Sequence, residues 1–144
     1  MAMLNKTAAE ALHKYTPNAV TDITGFGLLG HSCEMAKGSQ VSFEIRLSSV
    51  PVLKGTLELA KKGVVPGGTK ANHKWIQEDV LYEDITLEEQ YILCDAITSG
   101  GLLVSMNEED ALRYLSELKA LGLKDCAIIG KVYEKKEKCL YVKR

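Results

Sequence analysis

Apolar residues recur at helical spacing from the start of the chain. Leu4, Ala8, Ala11, Leu12 and Tyr15 predict an amphipathic helix over 3–15, ended by Pro17-Asn18. Phe26, Leu29, Cys33 and Ala36 share one face of a second helix, with Gly38 its expected C-cap. The period then changes to two. In VSFEIRL, residues 41–47, Val41, Phe43, Ile45 and Leu47 alternate with Ser42, Glu44 and Arg46, the pattern of a strand with one wetter face. Pro51 suits the first turn of a helix carrying Leu53, Leu57 and Ala60, closed by Gly63. Neither period holds over roughly 64–85, so a long irregular loop is expected there, of the functional or mobile kind.

Regular patterning resumes at Thr86. Thr86 and Glu89 make a capping box for a short helix with Leu87, Tyr91 and Cys94 inward. DAITSGG breaks it, and GLLVSM, 101–106, is a candidate buried strand. Asn107 caps the next helix, whose Glu108, Glu109 and Asp110 favour its positive end. Leu112, Leu115 and Leu118 line its inner face and Gly122 stops it. CAIIGKVY and CLYVK read as a hairpin around a charged turn. This order predicts an α+β fold, a layered sheet of about four strands with packed helices. One domain over 1–144 is expected, with 1–18 as a helical arm. Phe43, Ile45, Leu102, Val104, Ile128 and Val132 should share one core with Leu115 and Leu118.

Charge narrows the partners. The chain has 144 residues, with 18 Lys plus Arg against 19 Asp plus Glu. A balance that even gives no basic field for nucleic acid. No apolar run nears the roughly 20 residues that span a bilayer. The four cysteines, Cys33, Cys94, Cys126 and Cys139, form no C-x-x-C pair and sit among apolar neighbours. They read as reduced thiols in a cytoplasmic protein that opens without a signal peptide.

Three segments place glycine beside small polar residues: Thr21–Gly30, Pro66–Asn72 and Asp95–Gly101. Glycine lets backbone N–H groups approach an anion, and a helix start adds a favourable partial charge. None of the three has the Walker spacing, and Gly25-Phe26-Gly27 lacks the strand and third glycine of a dinucleotide fingerprint. Asp22 has two readings: a helix cap bonded to the Thr24 or Gly25 N–H, or a ligand for a hard cation such as Mg²⁺. One carboxylate alone makes no metal site. His13 reads as a surface or interface residue, His31 as packing within its helix, and His73 as a solvent-facing neighbour of the Gly-Gly-Thr loop. No cysteine has an evident activating base, so none reads as a nucleophile.

The strings LNKTAAEAL, AVTDITGFGLLGHSCEMAKGS, VPGGTKAN, LCDAITSGGLLVS and AIIGKV follow one another over almost the whole chain. Together they resemble the C-terminal half of the selenophosphate synthetases (selenide, water dikinases). The wider group is the aminoimidazole ribonucleotide (AIR) synthetase-related ATP-binding enzymes. The resemblance implies an AIR synthase-related C-terminal domain from a cytoplasmic, homodimeric enzyme that makes selenophosphate from selenide, ATP and water. It implies that the N-terminal domains gather ATP, Mg²⁺ and a Cys or selenocysteine with a Lys. The motif aspartate, here Asp22, reaches that metal–phosphate site. Thr24, Gly25, Gly27, Gly67, Gly68 and Thr69 are then the cofactor-facing positions. Family members usually carry Asp-Pro-Gln-Thr-Ser-Gly-Gly where this chain has Asp95-Ala96-Ile97-Thr98-Ser99-Gly100-Gly101. The catalytic Cys, the Lys and the N-terminal glycine-rich loop are not in this sequence. The expectation is therefore a C-terminal domain that lacks its catalytic partner, holds neither Mg²⁺ nor ATP alone, and is inactive alone.

Overall fold

A computed structural model describes residues 4–144. The elements run α1 (Lys6–Leu12), β1 (Ala19–Asp22), α2 (Gly27–Ser39), β2 (Val41–Arg46) and α3 (Thr56–Lys61). They continue with α4 (Gly67–Ile76), β3 (Val80–Glu83), α5 (Leu87–Leu93), β4 (Leu102–Ser105), α6 (Glu108–Ala120), β5 (Gly130–Glu134) and β6 (Leu140–Lys143). The fold is mixed α and β, as expected. Its strands divide into a four-stranded sheet, ordered β3-β6-β2-β5, and a separate antiparallel pair, β1-β4.

The terminal hairpin is not formed. β5 pairs antiparallel with one edge of β2, and β6 runs parallel to its other edge and to β3. β2 is therefore interior; its polar face is wetter at Glu44 and Arg46, as expected, but not at Ser42. Ser42 is fully buried, and its hydroxyl donates to the Lys138 carbonyl (2.7 Å) and accepts from the Lys136 N–H (2.8 Å). The sheet needs a glycine at one crossing. A Cβ on Gly130 would lie 1.9 Å from the Glu44 carbonyl oxygen.

Among the described residues there are two cores rather than one. Leu29, Cys33 and Ala36 of α2 pack with Phe43, Ile45, Ile76, Val80, Leu93, Leu140 and Val142 over the larger sheet. A smaller cluster joins Ala11 and Leu12 of α1 to Tyr114 and Leu118 of α6, with Val104 of β4 beside them. The expected members Ile128 and Val132 are exposed instead, Leu112 and Leu87 likewise, and Leu115 and Leu102 are half-buried. The described part of the 1–18 arm is docked on α6, where Tyr114 Oη donates to the Ala8 carbonyl (2.8 Å) and Tyr15 Oη to Glu117 (3.0 Å). Its predicted helix begins at residue 3, outside the described residues; the described part runs Lys6–Leu12.

Other boundaries move for local reasons. α2 continues through Gly38 and ends on Gln40 in the left-handed region (φ 53°). Pro51 precedes the third helix without starting it, because Gly55 (φ 89°) sets the N-cap of α3. The 64–85 stretch is not irregular: it holds α4 and β3. The caps of α5 and α6 match the sequence. Thr86 and Glu89 bond reciprocally, and Asn107 Oδ1 accepts from the Asp110 N–H (2.8 Å).

Two stability predictions follow from these contacts. Ser32 lies on α2 with its hydroxyl buried and, among the described residues, without a hydrogen-bond partner. Removing an unsatisfied hydroxyl and gaining alanine's helix propensity both favour the folded state. Ser32→Ala should raise unfolding stability by about 1 kcal/mol, read from urea denaturation. Glu89 is paired with Arg144 at 2.7 Å. Burial works to raise the Glu89 carboxyl, but the Thr86 N–H and hydroxyl and the Arg144 guanidinium outweigh it and hold the group below its ordinary range. A carboxyl lowered on folding adds stability that is fully present above its unfolded value of about 4.3. That stability is lost as pH falls through the lower folded value. Arg144→Met should lower stability at neutral pH and flatten its fall in acid, checked by denaturant midpoints at several pH values.

Candidate functional site

The sequence singled out three glycine-bearing segments separately, and the fold brings them together. β1 pairs with β4 so that Asp22 stands opposite Leu102. The pairing continues irregularly beyond both strands. Ile23 N–H donates to the Gly101 carbonyl (2.9 Å), Gly100 N–H to Ile23 (2.9 Å) and Ile97 N–H to Thr24 (3.1 Å). The segment leading into α2 and the Asp95–Gly101 turn therefore lie side by side. Gly100 permits the approach, since a Cβ there would sit 2.5 Å from the Ile23 carbonyl oxygen.

α4 clamps this pair from the third side. Thr69, in its first turn, is buried and donates its hydroxyl to Asp95 Oδ1 (2.5 Å). One turn later Asn72 Nδ2 donates to the Gly25 carbonyl (2.8 Å) and the Cys94 carbonyl (3.1 Å). One buried amide thus ties both loops to one helix, neutralising carbonyls that would otherwise be costly to bury. Gly67 and Gly68 open α4; a Cβ on Gly68 would lie 3.6 Å from the Ala96 Cβ, and one on Gly67 would meet open space.

The glycines of GFGLLG have different physical roles. Gly27 has φ 70°, and a Cβ on it would stand 2.7 Å from the carbonyl oxygens of Cys94 and Asp95. Gly30 gives room to Phe26, whose Cβ would be 2.7 Å away. Phe26 in turn lies against Trp75 of α4, ring centres 5.3 Å apart, and both remain half-exposed. Gly25 has no positive φ and open space where a Cβ would go, so the tight turn expected of it rests on Gly27 instead.

Asp22 is exposed at the end of β1, not at a helix start. Phe26 is the N-cap of α2, without a side-chain cap bond, so Asp22 does not cap that helix. Its carboxylate borders a shallow cavity of about 130 Å³ lined also by Asn5, Thr24, Thr98, Ser99 and Gly100. Leu4 adds an apolar wall, and the Asn5 amide nitrogen is spent on the Gly100 carbonyl (3.1 Å); the remaining side-chain oxygens suit a hard cation, but they carry one charge. Thr98 and Ser99 are not among the site residues expected from the sequence; both lie in the turn that glycine marks.

His31 is more than packing. It is buried on α2, with Nε2 3.0 Å from Thr24 Oγ1 and Nδ1 3.1 Å from Glu34 Oε2. A carboxylate only accepts, so in the neutral ring Nδ1–H donates to Glu34 and the Thr24 hydroxyl donates to Nε2. The histidine thereby orients the hydroxyl at the cavity wall. His73 is half-buried rather than solvent-facing, donating Nε2–H to Gln90 Oε1 (2.8 Å) between Tyr82 and Tyr91. The predicted site residues accordingly split. Asp22 and Thr24 line the cavity, Gly25 and Gly27 form its backbone support, and Gly67, Gly68 and Thr69 lie behind the Asp95–Gly101 turn.

A mixed α and β domain with a polar cleft made from three backbone segments, one exposed carboxylate at its rim, is the class that fold and site define. The chain matches the family model described as AIR synthase related protein, C-terminal domain, over residues 1–143, and it belongs to that family. It is 48% identical to "Selenide, water dikinase 2" of Peptoclostridium acidaminophilum over 142 residues. It is 46% identical to "Selenide, water dikinase" of Clostridioides difficile (strain 630), and 44% to that of Treponema denticola. Each match covers 99% of this chain and 41% of the relative. The chain thus spans about two-fifths of the length of these relatives. No helix of the described residues is long and apolar enough to cross a membrane.

Proposed function

We propose that this chain serves as the C-terminal domain of a selenide, water dikinase, which makes selenophosphate from selenide, ATP and water. The observation that carries the reading is identity of 44–48% to proteins of that name across nearly the whole chain. The cleft supports it in a specific way. Phosphoryl transfer depends on positioning and on charge stabilisation by metal and cationic groups. This domain brings one carboxylate, Asp22, on a strand end backed by Thr24 and His31. A single carboxylate leaves Mg²⁺ mostly hydrated and weakly held. Asp22 would therefore add one ligand to an ion held mainly by an N-terminal domain that also binds ATP. Gly67, at the opening of α4, has open space beside its backbone where a phosphate could approach. In the proposed cytoplasmic enzyme two such chains form a homodimer.

The test is reconstitution. The purified chain alone should show no selenide-dependent ATP turnover. Adding a separately made N-terminal domain of a matched dikinase, or fusing the two, should restore it. Turnover by the chain alone, with contaminating ATPase excluded, would sink the proposal. A folded mixture that binds but never turns over would favour a non-catalytic interaction module of the same fold.

A further inference from the structure

Away from the cleft, Cys33 of α2 and Cys139 at the start of β6 place their sulfurs 3.1 Å apart, although 106 positions separate them in the chain. Both are free thiols. The other two have different neighbours: Cys94 lies 3.9 Å from Tyr82 Oη, and Cys126 donates to the Leu123 carbonyl. We infer that Cys33 and Cys139 form a redox-sensitive modification site, closed to an intramolecular disulfide by hydroperoxides.

Geometry supports the pairing. Bonded sulfurs lie about 2.05 Å apart, so the pair must close by roughly 1 Å. Cys33 is 1% exposed, whereas Cys139 is only half-buried, so oxidant enters at Cys139. A carboxyl oxygen of Asp79 lies within 4.8 Å of both sulfurs. That carboxylate is paired with Lys37 at 2.6 Å, and the Cys139 sulfur also donates to the Asp79 backbone carbonyl (3.4 Å), so both thiols are held in place beside one another. Burial, and then the bond to Cys139, push the Cys33 thiol well above its ordinary range. Cys33 is thus a poor nucleophile towards peroxide and suited to the second step, the attack on an oxidised Cys139.

The chemistry balances in two steps. The Cys139 sulfur attacks one peroxide oxygen, the O–O bond breaks, and sulfenic acid and one water form. The Cys33 sulfur then attacks the Cys139 sulfur; the S–S bond forms, the S–O bond breaks, and the oxygen leaves as a second water with the Cys33 proton. Two thiols lose two electrons and two protons, and hydrogen peroxide is reduced to two waters. The bond would fasten α2, whose first turn supports the cleft, to the strand at the centre of the larger sheet.

Treating the reduced chain with hydrogen peroxide, blocking remaining thiols with iodoacetamide and digesting with trypsin without reductant tests the inference. The expected product joins peptide 15–37 to peptide 139–143 and disappears on adding dithiothreitol. The melting temperature of the oxidised chain should rise and return on reduction, since closing so long a loop constrains the unfolded state. In Cys33→Ser the sulfenic acid should persist on Cys139 and be trapped by dimedone. Alkylated Cys33 and Cys139 after peroxide, a Cys139–Cys139 link between copies, or linkage through Cys94 or Cys126 would overturn it. So would a Cys33→Ser chain that gives no dimedone adduct.

Discussion

Gly27→Ala should cost the domain about 2–5 kcal/mol. The left-handed backbone at φ 70° costs a residue with a Cβ about 1–2 kcal/mol. The added methyl must also displace backbone, not a flexible side chain, since it would meet the Cys94 and Asp95 carbonyls at 2.7 Å. Overpacking of that kind costs about 1–3 kcal/mol. The damage should spread, because the two carbonyls belong to the loop that Asn72 and Thr69 hold against α4. Gly25→Ala is the internal control. It lies two residues away in the same motif, has no positive φ and meets nothing within 4 Å. Urea midpoints of the two variants should differ clearly. Equal midpoints would mean that Gly27 is not a packing requirement.

Asp22→Asn should separate structure from chemistry. In this chain the carboxylate is exposed and caps no helix, so the substitution should leave the urea midpoint within about 0.5 kcal/mol of the parent. In the reassembled two-domain enzyme the same change should reduce magnesium-dependent turnover about a hundredfold or more, as losing a ligand exceeds the effect of losing its outer support. The amide keeps the shape and one acceptor oxygen but removes the charge, so raised Mg²⁺ should recover part of the loss. Unchanged turnover with lost stability would return Asp22 to a purely structural role.

The sequence disclosed elements whose buried face is apolar and hid those whose buried face is polar. α2, β2 and α6 have apolar periodicity, and the caps at Thr86 and Asn107 were visible as side-chain chemistry. α4 was invisible because it opens on Pro-Gly-Gly and buries Thr69 and Asn72 on the same face as Ile76. Those side chains face inward only because the Asp95 carboxylate and two loop carbonyls await them, and no local pattern reveals that. The mistaken hairpin has a similar origin. β5 and β6 are neighbours in sequence across a charged turn, and nothing local shows that β2 inserts between them. Ser42 was the one hint, and its polarity pointed outward. For the cleft, glycine marked two of the lining segments; the Pro66–Asn72 segment lies behind them, and the Leu4-Asn5 wall carried no such mark. Their convergence depends on the β1–β4 pairing, and β1 was missed as a four-residue strand.

The position of β6 has a consequence for the order of events during synthesis. It lies between β2 and β3 and is the last element described, about ninety residues after the end of β2. At ribosomal rates of about 5–20 residues per second, that interval lasts on the order of 5–20 s. Throughout it β2 is made but has an unoccupied edge, and Phe43 and Ile45 lack the Leu140 and Val142 that cover them. The larger sheet cannot close until β6 has emerged from the ribosome. Translation arrest before residue 140 would leave an open sheet edge on β2 available to a neighbouring polysome product.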